Sequence, residues 1–256
     1  MTQDVAKLRA YIESVELPPA AAIETEGPPP ELPEFKTGVP QVITVGSQIA
    51  EFAANVPIEI RSDIANSFLL AQLAADKWVA THPSSEKTWY HSYLAVMENC
   101  GWVIEGKEDS LRTVSGTGAK VHQEIVGVLS LALGPAVTAS SLIMGVLNGL
   151  KAMEKDQPFF TIFDRASQRA EARLFQISYV AVGADKAPRI RLAAYDLKAS
   201  ASATQILFFK VAVSGARLRS FSSDLSINAP VFMAVRQLIF DRVRDRIIGN
   251  VLAVEI

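Results

Sequence analysis

IVGVLSLALGPAVTASSLIMGVLNGL (125–150) is 26 residues without a charge, fenced by Lys120 and Glu124 before it and by Lys151 and Glu154 after it. A helix needs about 20 apolar residues to cross a bilayer core, so length alone permits a membrane span. Three features argue against one. Gly134-Pro135 falls near the middle, and a proline inside a helix removes a hydrogen bond and clashes with the preceding turn. Gly, Ala, Ser and Thr dilute the apolarity. No Lys/Arg run sets an orientation, and no Trp or Tyr borders the stretch. Proline is favourable at the first position of a helix. The stretch therefore reads as two helices, about 119–133 and 135–153, forming a hairpin or one kinked rod. Each is an ordinary length for a soluble core. Buried, the hairpin 121–153 would sit between helices and a sheet, or at a subunit interface. Released, it would meet lipid. Val128, Leu131, Leu142 and Val146 are the candidate membrane or interface positions.

Working outward toward the N-terminus, residues 3–16 carry Val5, Leu8, Ile12 and Val15 at spacings of three and four, one apolar helical stripe. Pro18-Pro19 ends it. Residues 17–40 are dominated by Pro, Glu and Ala and read as an extended arm. Such a helix is a candidate docking element, with Val5, Leu8 and Ile12 as its contact residues. QVITV (41–45) reads as a short strand, and Gly46-Ser47 as a helix start with Ile49, Phe52 and Ala53 on one face. Arg61–Ala80 is a strong helix, with Ser62 or Asp63 as its expected cap. Ser84-Ser85-Glu86 is expected to open the next helix, which carries Trp89, Tyr93, Val96 and Met97 to about Asn99. Trp102-Val103-Ile104 continues as a strand, and residues 105–119 read as a hairpin turn with a return strand.

Beyond the hairpin the period shifts toward two. FFTIF, RLFQISYVAV, RIRLAAYDLKA, TQILFFKVAV and ARLRSFSSDLSI read as strands joined by turn residues. Their connections are too short for parallel crossovers, so an antiparallel sheet of four to five strands is expected. Asn228 caps a final helix, about 230–248. The expected class is α+β: an N-terminal helical half with a central apolar helical hairpin, then an antiparallel sheet closed by the last helix. The expected organisation is residues 1–16, the arm 17–40, and one unit 41–256, helical over 41–156 and sheet plus closing helix over 157–256.

NSFLLAQLAADK (66–77), WYHSYLAVMENCGWVIE (89–105), LFQI (174–177), ILFFK (206–210) and SINAPVFMAVRQLIFDRV (226–243) occur in this order. Together they resemble an uncharacterised family of microbial proteins of about this size. The resemblance covers the chain from about residue 40, brings no catalytic motif, and implies that 40–256 is one integrated unit.

Composition narrows the function classes. The 256 residues carry a formal charge of −2, which argues against a nucleic-acid partner. Residues 1–156 hold 11 Lys+Arg against 19 Asp+Glu, and residues 157–256 hold 14 against 8. That split suits two solvated faces, or head-to-tail contacts between copies. One cysteine, Cys100, precludes an intramolecular disulfide. The N-terminus has no signal-peptide core, so synthesis in a bacterial-type cytoplasm is expected, with any secretion by a signal-less route.

No motif specifies chemistry. GWVIEGK (101–107) fits G-x-x-x-x-G-K, but Glu108 stands where a P-loop needs Ser or Thr. SGTGAK (115–120) is too short for a phosphate loop. His82, His91 and His122 have no metal-ligand spacing, and three ligands for a zinc site cannot be assembled. No G-x-S-x-G is present. Cys100 ends a helix, where the dipole raises a thiol pKa. It is a structural cysteine or, alternatively, a modified or reactive one. Catalytic, cofactor-binding and metal residues are expected to be none. The leading expectation is a non-enzymatic self-assembling or protein-interaction protein, a homo-oligomer or filament linked by the N-terminal arm. The alternative is a membrane-associating or pore-forming effector of toxin or virulence type, with membrane lipid as partner through the hairpin.

Overall fold

In chain order the elements are helix α1 (Val5–Ser14), strands β1 (Gln41–Val45) and β2 (Gln48–Phe52), helices α2 (Ile58–Thr81) and α3 (Trp89–Asn99), and strand β3 (Trp102–Arg112). Helices α4 (Gly118–Leu133), α5 (Leu142–Gly149) and α6 (Pro158–Ser167) follow. Then come strands β4 (Arg173–Val182) and β5 (Pro188–Lys198), a π-helical turn at Gln205–Phe209, strand β6 (Arg217–Ile227), helix α7 (Ala229–Ile247) and strand β7 (Val251–Ala253). The structure is a computed structural model. It describes residues 4–19, 33–82, 88–112, 118–134, 137, 141–149, 158–168, 173–202, 205–209 and 216–254. The Pro-rich part of the arm, the Ser84–Glu86 start, Pro135 and residues 210–215 lie outside them.

The strands form one sheet in the order β3-β6-β5-β4-β2-β1-β7. Neighbours are antiparallel except β2 and β4, which run parallel. The fold is α+β, as expected. The sheet has seven strands rather than four or five, is mixed, and draws β1, β2 and β3 from the first half of the chain. The parallel pair is reached through the intervening helices, so short loops elsewhere do not bar it.

Side chains alternate across a strand, and both faces of the sheet are covered. One face, with Ala50, Phe52, Val180, Leu192, Ala194 and Leu225, meets α1, α2, α3 and α7 in one apolar core. The other, with Ile49, Phe175, Ile177, Ala193, Tyr195 and Leu197, meets α4, α5, α6 and the π-helical turn in a second. Helix α2 is buried over most of Ile64–Ala75 because the sheet, α3 and α7 surround it. Helix α7 packs against α2 and α1. It does not close the chain: β7 follows and adds to the sheet through β1.

Four local expectations are corrected. Residues 46–53 are not a helix start. Gly46, at φ +52, makes a tight turn, and Gln48–Phe52 is β2, paired to β1 from Gln48–Val45 to Phe52–Gln41. The positive φ favours glycine there, and a Cβ on Gly46 would also lie 2.7 Å from Gln72 Oε1 and push that side chain aside. Residues 105–112 are not a turn and return strand. They extend β3 along β6 past a bulge at Ile104/Gly106, and a sheet edge tolerates the charges of EGKED. FFTIF lies in α6, where Phe160 and Phe163 share a buried face at helical spacing. ILFF forms the π-helical turn, with Ile206 and Leu207 buried near α4.

Caps follow local chemistry in part. Asn228 accepts from the Val231 amide at 3.5 Å, as expected. Helix α2 has Pro57 at its cap with no side-chain bond, and Asp63 instead accepts from Arg236 at 3.1 Å. Thr88 caps α3 by accepting from the His91 amide at 3.3 Å.

Candidate functional site

The first expected helix, about 119–133, is α4. The second, expected over about 135–153, is described only as α5 from Leu142 to Gly149, with Ser141 outside it. Both lie on the second face of the sheet. Val121, Ile125, Val128, Leu129 and Leu133 recur at helical spacing along α4 and point at β5, β6 and the π-helical turn. Ile143 and Leu147 do the same for α5, over β1 and β2. These seven buried side chains are worth about 1.5–3 kcal/mol each against water, so roughly 10–20 kcal/mol holds the pair down. The opposite flank differs. Leu131 is 76% exposed at the end of α4. Beside it an open trough of about 520 Å³ separates α4 from β3 and β6, with Leu131 and Ala132 on one wall and Glu108, Ser222 and Asp224 on the other. Burial raises the Asp224 carboxyl above its ordinary range, and the charge of Arg191 opposes that rise.

Three polar side chains of the sheet reach into this apolar seat, two of them at the elbow. Gly134 ends α4 with φ +79, the left-handed residue that commonly terminates a helix. Beside it, the Arg191 guanidinium on β5 donates to the Leu133 carbonyl. On the other side of the elbow, Glu51 of β2 is 2% exposed. Its Oε2 accepts from Ser141 Oγ at 2.5 Å and from the Ile143 amide at 2.9 Å. A cation thus meets the C-terminus of one helix and an anion the N-terminus of the next, each matched to the helix dipole. Further along α4, the Tyr195 hydroxyl donates to the Ile125 carbonyl at 3.0 Å. That ring is stacked on Phe175 at 4.9 Å. Burial drives its phenol pKa far up, so it serves as a neutral donor.

The expected interface residues are therefore not equivalent. Val128 is buried on the sheet, Leu142 is half-buried, and Leu131 faces out. Val146 lies in α5, with its side chain outside the described ones. Glu51, Arg191 and Tyr195 were not foreseen. Each contacts residues 58 to 92 positions away in sequence. A glutamate beside Ile49, Ala50 and Phe52 in QIAEF was the one available signal.

The N-terminal helix docks within its own chain. Leu8 and Ile12 are buried in the first core, and Val5 is half-buried. Arg9 donates to the Ala234 carbonyl at 3.1 Å. Arg242 donates to the Val15 carbonyl, and Arg246 to the Pro18 carbonyl at 3.0 Å. Arginines of the last helix are thus engaged with α1 and the segment after it.

Cys100 is fully buried and free, and desolvation pushes its thiol well above the ordinary range, which suits a structural cysteine. GWVIEGK begins β3 and forms no phosphate cradle. The histidines are spread over three helix regions: His82 stacks on Trp78 at 4.7 Å, His91 sits beside Thr88, and His122 is buried on α4. Among the described residues no group of three or more His, Cys, Asp or Glu could hold a metal. No described helix is long and apolar enough to cross a membrane.

No protein-family model matches the chain, and no curated protein matches it in sequence. Solved structures with a distant likeness include a delta-endotoxin, 14% identical, covering 84% of this chain and 96% of that one at a TM-score of 0.39. Activated Cyt2Ba monomer from Bacillus thuringiensis subsp. israelensis is 11% identical, covers 72% and 98%, and has a TM-score of 0.36. The Evf virulence factor is 12% identical, covers 98% and 92%, and has a TM-score of 0.33. Likenesses this distant decide nothing about chemistry, which has to come from this chain's own residues.

Proposed function

We propose that this protein is a membrane-associating effector of toxin or virulence type, and that it acts by lifting the α4–α5 hairpin from the sheet onto lipid. One observation carries the reading: an apolar hairpin is seated on a largely apolar sheet face, with Arg191 and Glu51 fastening it at the elbow. The burial energy of the hairpin is measured against water. A bilayer offers its side chains a comparable apolar environment, so most of that energy is not lost on transfer. What then separates docked from released includes the apolar sheet face left uncovered and, among the described contacts, the polar set at Arg191, Glu51 and Tyr195. Hydrogen bonds to charged groups contribute about 1.5–3 kcal/mol each, and neutral ones about 1. Such fastenings hold in water and are within reach of what a membrane surface can offset.

Geometry also limits the mode. At 1.5 Å per residue, the 16 residues of α4 extend about 24 Å and the 8 of α5 about 12 Å. Neither described length covers a hydrocarbon core of about 30 Å, and in this reading the hairpin lies in the interfacial zone of one leaflet, apolar face down. The outward Leu131 is its first point of contact. No observation of comparable weight speaks for arm-linked self-assembly.

Leu131→Asp tests this directly. The side chain is exposed in the folded protein, so stability should move by no more than about 0.5 kcal/mol. Vesicle co-sedimentation and dye leakage should fall at least tenfold. Wild-type protein that neither sediments with phosphatidylcholine or phosphatidylglycerol vesicles nor releases dye, from acidic to neutral pH, would sink the proposal.

A further inference from the structure

A second cavity lies on the opposite face of the sheet, where the end of α2 and the start of α3 meet β4, β5 and β6. Its volume is about 150 Å³. Trp89, Tyr90, Leu174 and Phe221 contribute to an apolar lining, and the half-buried Asp196 and Arg219 complete it. The polar ends of its two hydrogen-bonding aromatics are already engaged. Trp89 Nε1 donates to Asp76 at 2.6 Å, and the Tyr90 hydroxyl donates to Ser223 at 2.8 Å. What these rings offer a guest is apolar surface and π-faces.

Asp196 is the unexplained group. Its Oδ1 is buried and has no hydrogen-bond partner. A buried acceptor left unsatisfied costs about 1–3 kcal/mol, more for a charged group, so native structures seldom leave one without a reason. Arg219 stands opposite Asp196 in the β5–β6 register. Its guanidinium is placed over the Phe221 ring, 4.8 Å from the centroid. A cation thus already rests on an aromatic face at this site, while the carboxylate oxygen beside it still lacks a donor. Burial raises the Asp196 carboxyl, and the charges of Lys198 and Arg219 work against that rise.

We infer that the cavity binds a compact organic ammonium ion, its N–H donating to Asp196 Oδ1 and its apolar body lying among Trp89, Tyr90, Leu174 and Phe221. Size supports the class: an apolar cavity of about 150 Å³ takes a guest as large as benzene. Charge supports it too: ammonium ions are attracted to aromatic faces and to a carboxylate oxygen that lacks a donor, with Arg219 in the lining opposing a second cation. A carboxylate guest would meet Asp196 with like charge, and a purely apolar guest would leave Oδ1 unsatisfied. The site is on the other side of the sheet from the hairpin and does not rest on the membrane reading.

Isothermal titration of the full chain at neutral pH tests it, with benzylammonium against benzyl alcohol, its uncharged counterpart of similar shape. Benzylammonium should bind at least tenfold more tightly. Asp196→Asn should bring benzylammonium down to the level of the alcohol while leaving the alcohol unchanged. Equal binding of the two by the unaltered chain would reduce the site to an apolar void and overturn the inference. So would failure of benzylammonium to bind at about 10 mM, or a charge preference that survives in Asp196→Asn. The two-ligand comparison decides the matter on the unaltered chain even if the variant does not fold.

Discussion

The two faces of the sheet are both covered by apolar cores, yet they are fastened differently. On the helical face, polar side chains interlock at several places. Arg61, fully buried, donates to the carbonyls of Val56, Val39 and Ala53 at 3.0–3.1 Å. Gln72 donates to the Val45 carbonyl and accepts from the Ser47 amide. Tyr93 reaches Gln48, which reaches Ser178. These bonds tie α2 and α3 to three strands at several heights. On the hairpin face, Glu51 and Arg191 act at one elbow and Tyr195 acts one helix away. Removing a helix from the first face breaks a distributed network. Among the described contacts, removing the hairpin from the second breaks those of Glu51, Arg191 and Tyr195. On the proposed reading the first face stays closed and the second opens locally.

The largest expected effect falls on the helical face. Arg61→Ala removes a fully buried side chain and its hydrogen bonds to the Val56, Val39 and Ala53 carbonyls, and burial has already lowered the guanidinium pKa. Chemical denaturation should show a loss of about 3–5 kcal/mol, since hydrogen bonds to a charged group contribute about 1.5–3 kcal/mol each. Unfolding should stay cooperative. A loss below about 1 kcal/mol would mean that the network is not what fixes this face.

Glu51→Gln comes next and should separate the two faces. It keeps the shape and removes the charge that meets Ser141 Oγ and the Ile143 amide. The expected loss is about 1.5–3 kcal/mol. Hydrogen exchange should accelerate at least tenfold across α5, with α2 unchanged, and vesicle leakage should rise. Uniform acceleration over both faces would erase the contrast drawn between them.

This contrast also explains what could be read from the sequence. The alternation in RLFQISYVAV and ARLRSFSSDLSI identified β4 and β6 because each strand divides its side chains between two cores. The stripe of α2, the Asn228 cap and the Gly134 break were equally local, and all three occur in the fold. QIAEF was misread as the start of a helix. Its Gln48 and Glu51 are buried, and their partners Tyr93 and Ser141 lie 45 and 90 residues away. Long-range satisfaction of a polar group leaves no mark in the local period. FFTIF failed for a different reason: five residues rich in aromatics fit a buried strand or an amphipathic turn equally well, and only the seat on Phe175 chose between them. Arg191 is exposed on β5, and its bond to the Leu133 carbonyl, 58 residues away, likewise leaves no local mark.

Tyr195→Phe should have a smaller effect, still on the hairpin face. It deletes one neutral hydrogen bond to the Ile125 carbonyl and keeps the stacked ring. The loss should be about 1 kcal/mol. Exchange should quicken along α4 more than along α5, the reverse of Glu51→Gln. Identical patterns from the two variants would show that the hairpin moves only as one rigid piece.

The smallest effect returns to the helical face, at Asp196, and is best seen through pH. Its folded pKa is raised above the ordinary 3.8, chiefly by desolvation. A raised carboxyl binds its proton more tightly in the folded state than in the unfolded one. Its contribution to stability is therefore fully present below about 3.8 and is lost as pH rises through the folded value. At neutral pH the ionised side chain destabilises the fold, and Asp196→Asn should be the more stable protein. The gain should shrink as the solution is acidified through the raised pKa and vanish below the ordinary one. Paired urea titrations of the two proteins along that pH series would measure it. A gain that is constant with pH would locate the effect in packing, and a loss at neutral pH would mean that Asp196 is already satisfied by a cation of the chain itself.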